Sequence, residues 1–212
     1  MTMSDYSTLV PEEILRRIRD EVNRAKTSRV PKTYHPPVPE DFAPGVQILC
    51  FDQSLSNSGW ALVNTDDGKI TIPDSGTIRP PRFSDGIKGF ASTLTKSVVL
   101  AREIQVVLSR LYGRYEAVVI ELPSIFGYRT ESSLVAAATI CIELDRSGEE
   151  QPILVSRNSA GAVLCADRNA PKTVSSALVN ELVVDRPTGL GQWTEHVRDA
   201  VFVGLRHLHQ GE

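Results

Sequence analysis

Residues 48–63 read ILCFDQSLSNSGWALV. An apolar run closes on an acid at Asp52, a polar turn-rich stretch follows, and a second apolar run begins at Gly59. That pattern predicts two strands, VQILCFD and SGWALVNT, joined by a short polar loop. The turn signal DDG at 66–68 leads into KITIPDSGTI, residues 69–78, a third strand. Three short strands in succession make an antiparallel meander. Further on, residues 86–112 carry Ile87, Phe90, Leu94, Val98, Ala101, Ile104, Leu108 and Leu111 at helical spacing. AVVIELP, residues 117–123, is a short buried strand ending in Glu121. Residues 131–146 read as a helix rich in small residues, QPILVS (151–156) as a fifth strand, and 172–184 and 194–209 as two more helices. Hairpin-connected strands followed by alternating helices and strands predict an α/β fold: a mixed five-stranded sheet flanked by helices.

The N-terminal side differs. Residues 31–44 hold Pro31, Pro36, Pro37, Pro39 and Pro44. Proline fixes φ and withholds a backbone donor, so this stretch reads as a linker or a surface strap. Before it, PEEILRRIRDEVNRAK (11–26) has Pro11 at a first helical position and Ile14, Ile18, Val22 and Ala25 on one stripe. The chain thus divides into an N-terminal helical extension with a proline-rich linker, residues 1–45, and a folded domain, residues 46–212.

Composition bounds the function. The chain has 212 residues, 41% hydrophobic and 23% charged, an ordinary globular mix. Its 23 Lys and Arg against 26 Asp and Glu leave a charge of −3, so any nucleic-acid contact must come from local positive charge. No apolar run approaches the roughly 20 residues that span a bilayer, and the polar, acidic N-terminus does not read as a secretory signal. A cytoplasmic protein with no membrane association is expected. Cys50, Cys141 and Cys165 lie far apart in apolar contexts and read as buried free thiols rather than a zinc site.

Three acids stand out by position: Asp52 and Glu121 at the ends of apolar strands, and Asp199 in the first turns of the last helix. A carboxylate at the end of a buried strand is costly to desolvate unless it is paired or bound to a cation. If the first and fourth strands are neighbours, Asp52 and Glu121 lie side by side, and a divalent ion holds both ionised. An all-oxygen carboxylate set suits Mg2+ or Mn2+. His196, three residues before Asp199, shares its helix face. Taken singly, Asp52 also reads as a turn cap, Glu121 as a solvated strand end and His196 as a half-buried helix residue.

ILCFDQSLSNSGWALV resembles the first-strand motif of the RuvC-like Holliday junction resolvase family, within the RNase H-like superfamily. VVIELP resembles the second motif of that family, and EHVRDAVFVGLRHL the last, in which an acid or His precedes Asp-Ala by three residues. RNSAGAVLCADRNAPKTVSSALV is similar to the segment where a polar loop and a Lys lead into a helix. The resemblance covers roughly residues 46–209. It implies an RNase H-like fold and a metal-dependent endonuclease acting on four-way or other branched DNA, as a homodimer. The implied cofactor is two Mg2+ or Mn2+ ions per active site, roughly 4 Å apart, with no organic cofactor. Asp52, Glu121, His196 and Asp199 are the implied catalytic and metal-binding set, with Asp52 bridging. The commoner residue at the position of His196 is Asp, so this chain carries one negative charge fewer, and His196 reads as a ligand or as a proton-transfer group. Lys172 and Arg168 are the implied phosphate contacts, although Lys172 also reads as an ordinary solvated helix residue. Phe126, Tyr128 and Arg129 are implied to stack at the junction centre, although Phe126 also reads as a core anchor. Two further readings stay open: a nuclease of this fold acting on RNA–DNA hybrids, and a non-catalytic nucleic-acid-binding domain.

Overall fold

The computed structural model describes residues 36–80, 90–122 and 130–210. Three strands open the domain: β1 (Gln47–Asp52), β2 (Ser58–Asp66) and β3 (Lys69–Ile78). They form the expected antiparallel meander, with Asp52 paired to Gly59 and Gly59 to Thr77. The turn between β2 and β3 needs Asp67 and Gly68 at φ 51° and 67°, the left-handed region that Gly and Asp tolerate best. Helix α1 (Phe90–Leu111), strand β4 (Ala117–Leu122), helix α2 (Thr130–Arg146) and strand β5 (Ile153–Ser156) follow. Then come α3 (Arg157–Leu164), α4 (Lys172–Leu182), β6 (Val183–Asp185) and α5 (Glu195–Leu208). The sheet order is β5-β4-β1-β2-β3-β6, with β1, β4 and β5 mutually parallel.

The α/β class and the mixed sheet are as expected, with two additions. A sixth strand forms because the helix predicted over 172–184 stops at Leu182 and the β-branched pair Val183–Val184 continues alongside β3. The short helix α3 was not predicted. Its signal is Ser156, whose hydroxyl accepts from the Ser159 amide at 3.0 Å and caps the first turn. The predicted N-terminal helix over 11–26 lies outside the described residues.

Period-two alternation sorts the strands onto two cores. Leu49, Phe51, Trp60, Leu62, Val118 and Ile120 face α1 and α2. Ile48, Cys50, Ala61, Val63 and Val119 face α5 and its neighbours. Asp52 and Glu121 continue the second set by parity, so both belong to the α5 side of the sheet. Helix α5 is buried almost all round, from Val197 through Leu205, because the sheet covers one side of it and α3 and α4 cover the other. Residues 39–43 clasp its far end: Ala43 donates to the Leu208 carbonyl at 2.8 Å, and the Phe42 ring meets His209 edge-on. Among the described residues, no helix is long and apolar enough to cross a membrane. Cys50 is fully buried and its thiol pKa is pushed well up, whereas Cys141 and Cys165 are only half-buried, contrary to expectation.

Gly204 sets how closely α5 rides on β1, because a Cβ there would run into the Cys50 sulfur, with the Ile48 Cδ1 at 3.3 Å. Gly204→Ala is expected to cost about 1–3 kcal/mol by overpacking, more than the helix propensity it gains. Cys50→Ala in the same chain should recover most of that loss, since the new methyl occupies the vacated sulfur site. Urea denaturation of the four proteins in the cycle checks this; strictly additive losses would mean the two residues do not share that space.

Candidate active site

The parallel pairing of β1 with β4 runs to Phe51–Ile120. The next residues, Asp52 at the end of β1 and Glu121 one residue before the end of β4, therefore lie beside each other. The carboxyl ends of parallel strands are where α/β sheets place ligands. The antiparallel partner β2 starts at the same end of the sheet, and Gly59 pairs with Asp52. Gly59 has a steric duty: a Cβ on it would collide with the His196 backbone carbonyl. The absence of a side chain lets the first turn of α5 settle onto the sheet beside Asp52. That turn is anchored by Thr194, whose hydroxyl caps the helix and lies 2.7 Å from the Thr77 hydroxyl on β3.

Two side chains of α5 complete the group. His196 Nδ1 shares a hydrogen bond with Asp52 Oδ2 at 2.8 Å. That bond raises the imidazole pKa above its ordinary value, against the opposing effect of burial. Asp199 lies one turn further in, its side chain 3% exposed. Its Oδ1 accepts from Arg157 Nη1 at 2.7 Å and its Oδ2 from Lys172 Nζ at 2.6 Å. Lys172 also reaches Glu195 at 2.9 Å. Partial burial works against the Lys172 charge, but the bonds to Asp199 and Glu195 outweigh it and raise its pKa. Glu121 is the unbalanced member. Desolvation, then the charges of Asp52 and Asp199, push its pKa up to about 8, with Arg157 only partly offsetting them.

No protein-family model matches the chain, and no curated protein matches it in sequence. Solved structures do match. The chain superposes on Thermus thermophilus RuvC in complex with a Holliday junction substrate with a TM-score of 0.60 at 14% identity, covering 77% of this chain and 93% of that one. A second Thermus thermophilus RuvC structure gives the same TM-score and identity over 76% and 93%. The yeast mitochondrial Holliday junction resolvase Ydc2 matches at a TM-score of 0.49 and 11% identity, over 79% and 81%. The fold is that of RuvC.

On this RuvC fold the four residues singled out in the sequence, Asp52, Glu121, His196 and Asp199, converge on one end of the sheet. Lys172 stands with them, as an ion-pair partner of Asp199 rather than as a free surface cation. Arg168 is exposed in the loop between α3 and α4. Phe126, Tyr128 and Arg129 lie outside the described residues. Sequence reasoning missed Arg157. Its signal was positional: it directly follows the apolar strand ILVS, at the same end of the sheet as Asp52 and Glu121. It missed Gly59 as a packing residue too, although Gly at the start of a buried strand marks a close approach.

The donor chemistry at Asp52 and Glu121 fits a hard divalent cation: two carboxylates side by side, one of them short of positive charge in its ionised form. Among the described residues, however, no group of three or more His, Cys, Asp or Glu side chains is arranged to hold a metal ion. Both oxygens of Asp199 are taken by Arg157 and Lys172, and one oxygen of Asp52 by His196.

Proposed function

We propose that this chain is a metal-dependent endonuclease that hydrolyses phosphodiester bonds in four-way or other branched DNA. The observation that carries the reading is the convergence of Asp52 and Glu121 with His196 and Asp199 at the strand ends of a RuvC fold. The Thermus RuvC of the same fold is seen with a Holliday junction, which favours a branched substrate over an RNA–DNA hybrid. Asp52 and Glu121 would hold a divalent ion, Mg2+ or Mn2+, with Asp199 contributing an oxygen. The ion would supply a Lewis acid on the phosphate and a more acidic bound water.

The remaining chemistry belongs to side chains. The bond from His196 to Asp52 supports a role for the imidazole beside the ion, either as a further ligand or as the group that moves a proton near neutral pH. Lys172 and the N-terminus of α4 offer positive charge to a phosphate. Arg168, together with Phe126, Tyr128 and Arg129 outside the described residues, are the proposed further DNA contacts. Leu134 and Ile142 on α2, with Leu94 and Val98 on α1, are exposed apolar residues that suit the proposed homodimer contact. Two sites related by a twofold axis would nick opposing strands symmetrically.

The test is a strand-resolved cleavage panel with Mg2+ and Mn2+ on a mobile four-way junction, a flap, a plain duplex and an RNA–DNA hybrid. Paired symmetric nicks in the junction are expected, with at least ~10-fold less cutting of duplex and hybrid, an amount worth about 1.4 kcal/mol of discrimination. Preferential hybrid cleavage would replace the substrate assignment. Binding without cleavage under every metal condition would favour the non-catalytic reading.

A further inference from the structure

The two cations on Asp199 are held very differently. The Arg157 side chain is 22% exposed. Its second nitrogen donates to Ser175 Oγ at 2.7 Å, and its guanidinium lies over the Phe202 ring at 5.5 Å. Pulling it away would break all three contacts and leave a buried carboxylate short of charge. The Lys172 side chain is 52% exposed, and its second partner, Glu195, is 54% exposed. It is the first residue of α4, on a flexible four-carbon stem. A rotamer change swings its ammonium into solvent with no backbone movement.

We propose that Lys172 is a lock on the cation site. Arg157 is the permanent counter-ion of Asp199 and orients it. Lys172 occupies Oδ2 until a nucleic-acid phosphate draws its ammonium away and frees that oxygen to join Asp52 and Glu121 around a divalent ion. Ion binding and DNA binding then strengthen each other reciprocally. The phosphate half of this device rests on the nuclease reading above. The cation half does not, because it concerns only the competition between an ammonium and a metal for one oxygen.

The experiment measures Mn2+ affinity of the full chain by calorimetry, and by the solution spin-resonance signal of free Mn2+, for wild type, Lys172→Met, Lys172→Gln and Lys172→Met/Asp199→Asn. Each is measured alone and with a four-way junction carrying phosphorothioates at the crossover to slow hydrolysis. Position 172 is exposed and opens its helix, so both single variants should fold, which circular dichroism checks. Without DNA, both single variants are expected to bind Mn2+ ~10-fold tighter than wild type, the ordinary scale of coupling between linked sites. The added Asp199→Asn should cancel that gain, and the junction should tighten wild type far more than Lys172→Met. Equal or weaker Mn2+ binding by the two single variants overturns the lock. If wild type nevertheless cuts junctions, the nuclease reading stands without it. Tightened Mn2+ binding alongside a wild type that cuts no DNA supports the lock and overturns the nuclease reading.

Discussion

Asp52→Asn is expected to fold, bind a four-way junction and fail to cut it, with cleavage down by at least ~10^3-fold, or about 4 kcal/mol in the barrier. The substitution keeps the shape of the side chain. Its amide oxygen still accepts from His196 Nδ1–H, so the bond that docks the first turn of α5 against β1 survives. What disappears is the negative charge beside Glu121, and with it half of the carboxylate pair that fits a divalent ion. A second consequence is independent of any metal. The hydrogen bond to Asp52 is the main cause of the raised His196 pKa, so in Asp52→Asn the imidazole should titrate at lower pH. An NMR titration of the ring nitrogens reads that shift directly. Wild-type cleavage by Asp52→Asn with Mg2+ would remove Asp52 from the catalytic group. An unmoved His196 titration would mean that the bond between them is not made in solution.

Glu121→Gln is expected to abolish cleavage and yet stabilise the metal-free protein at alkaline pH. The sign follows from the raised pKa. In the folded chain Glu121 titrates at about 8, against an ordinary value of 4.5. Between those values the folded state binds more protons than the unfolded state, so stability falls as pH rises across that window. Gln carries no such charge and removes the loss. The advantage of the variant should therefore be absent near pH 4, grow through the window, and level off above pH 8. Its ceiling is on the order of a few kcal/mol, or a midpoint shift of roughly 5–10 °C for a domain of this size. The His196 pKa is raised as well, but His196 is present in both proteins and largely cancels in the difference. Thermal melts in EDTA from pH 4.5 to 9 make the measurement. Added Mg2+ or Mn2+ should then raise the midpoint of wild type at pH 8 and leave Glu121→Gln nearly unmoved, since an ion that binds only the folded state stabilises by mass action. Parallel pH curves for the two proteins would show that neither burial nor the neighbouring acids raise the Glu121 pKa.

The two variants together separate the roles of the acids. Asp52 is already neutralised in part by His196, and Asp199 fully by Arg157 and Lys172. Glu121 is desolvated by burial and faces the charges of Asp52 and Asp199 with only Arg157 partly offsetting them, which is why its charge is the one that the folded protein resists. A group of acids with one member held near its neutral form, in a cleft at strand ends, is a familiar physical signature of a functional site.

The amino-acid sequence by itself determined the first five strands and helices α1, α2, α4 and α5 of the described domain, but not the short helix α3 or the strand β6. ILCFD and AVVIE each close an apolar run with an acid, and DDG forces a turn. The spacing of Val197, Ala200, Val201, Gly204 and Leu208 makes α5 a core helix with His196 and Asp199 at its start. These are local properties, set by neighbours within a few residues, and so they are legible from one chain. Only the tertiary structure decided that β1 and β4 pair in register at Phe51–Ile120, so that parity turns both acids toward α5. It alone showed that Gly59 and Gly204 are the thin places through which α5 approaches the sheet. It also brought Arg157 to Asp199, which lies 42 residues away, and Lys172 to the same carboxylate across 27. Contacts at such separations depend on which surfaces pack together, and no short-range pattern encodes that.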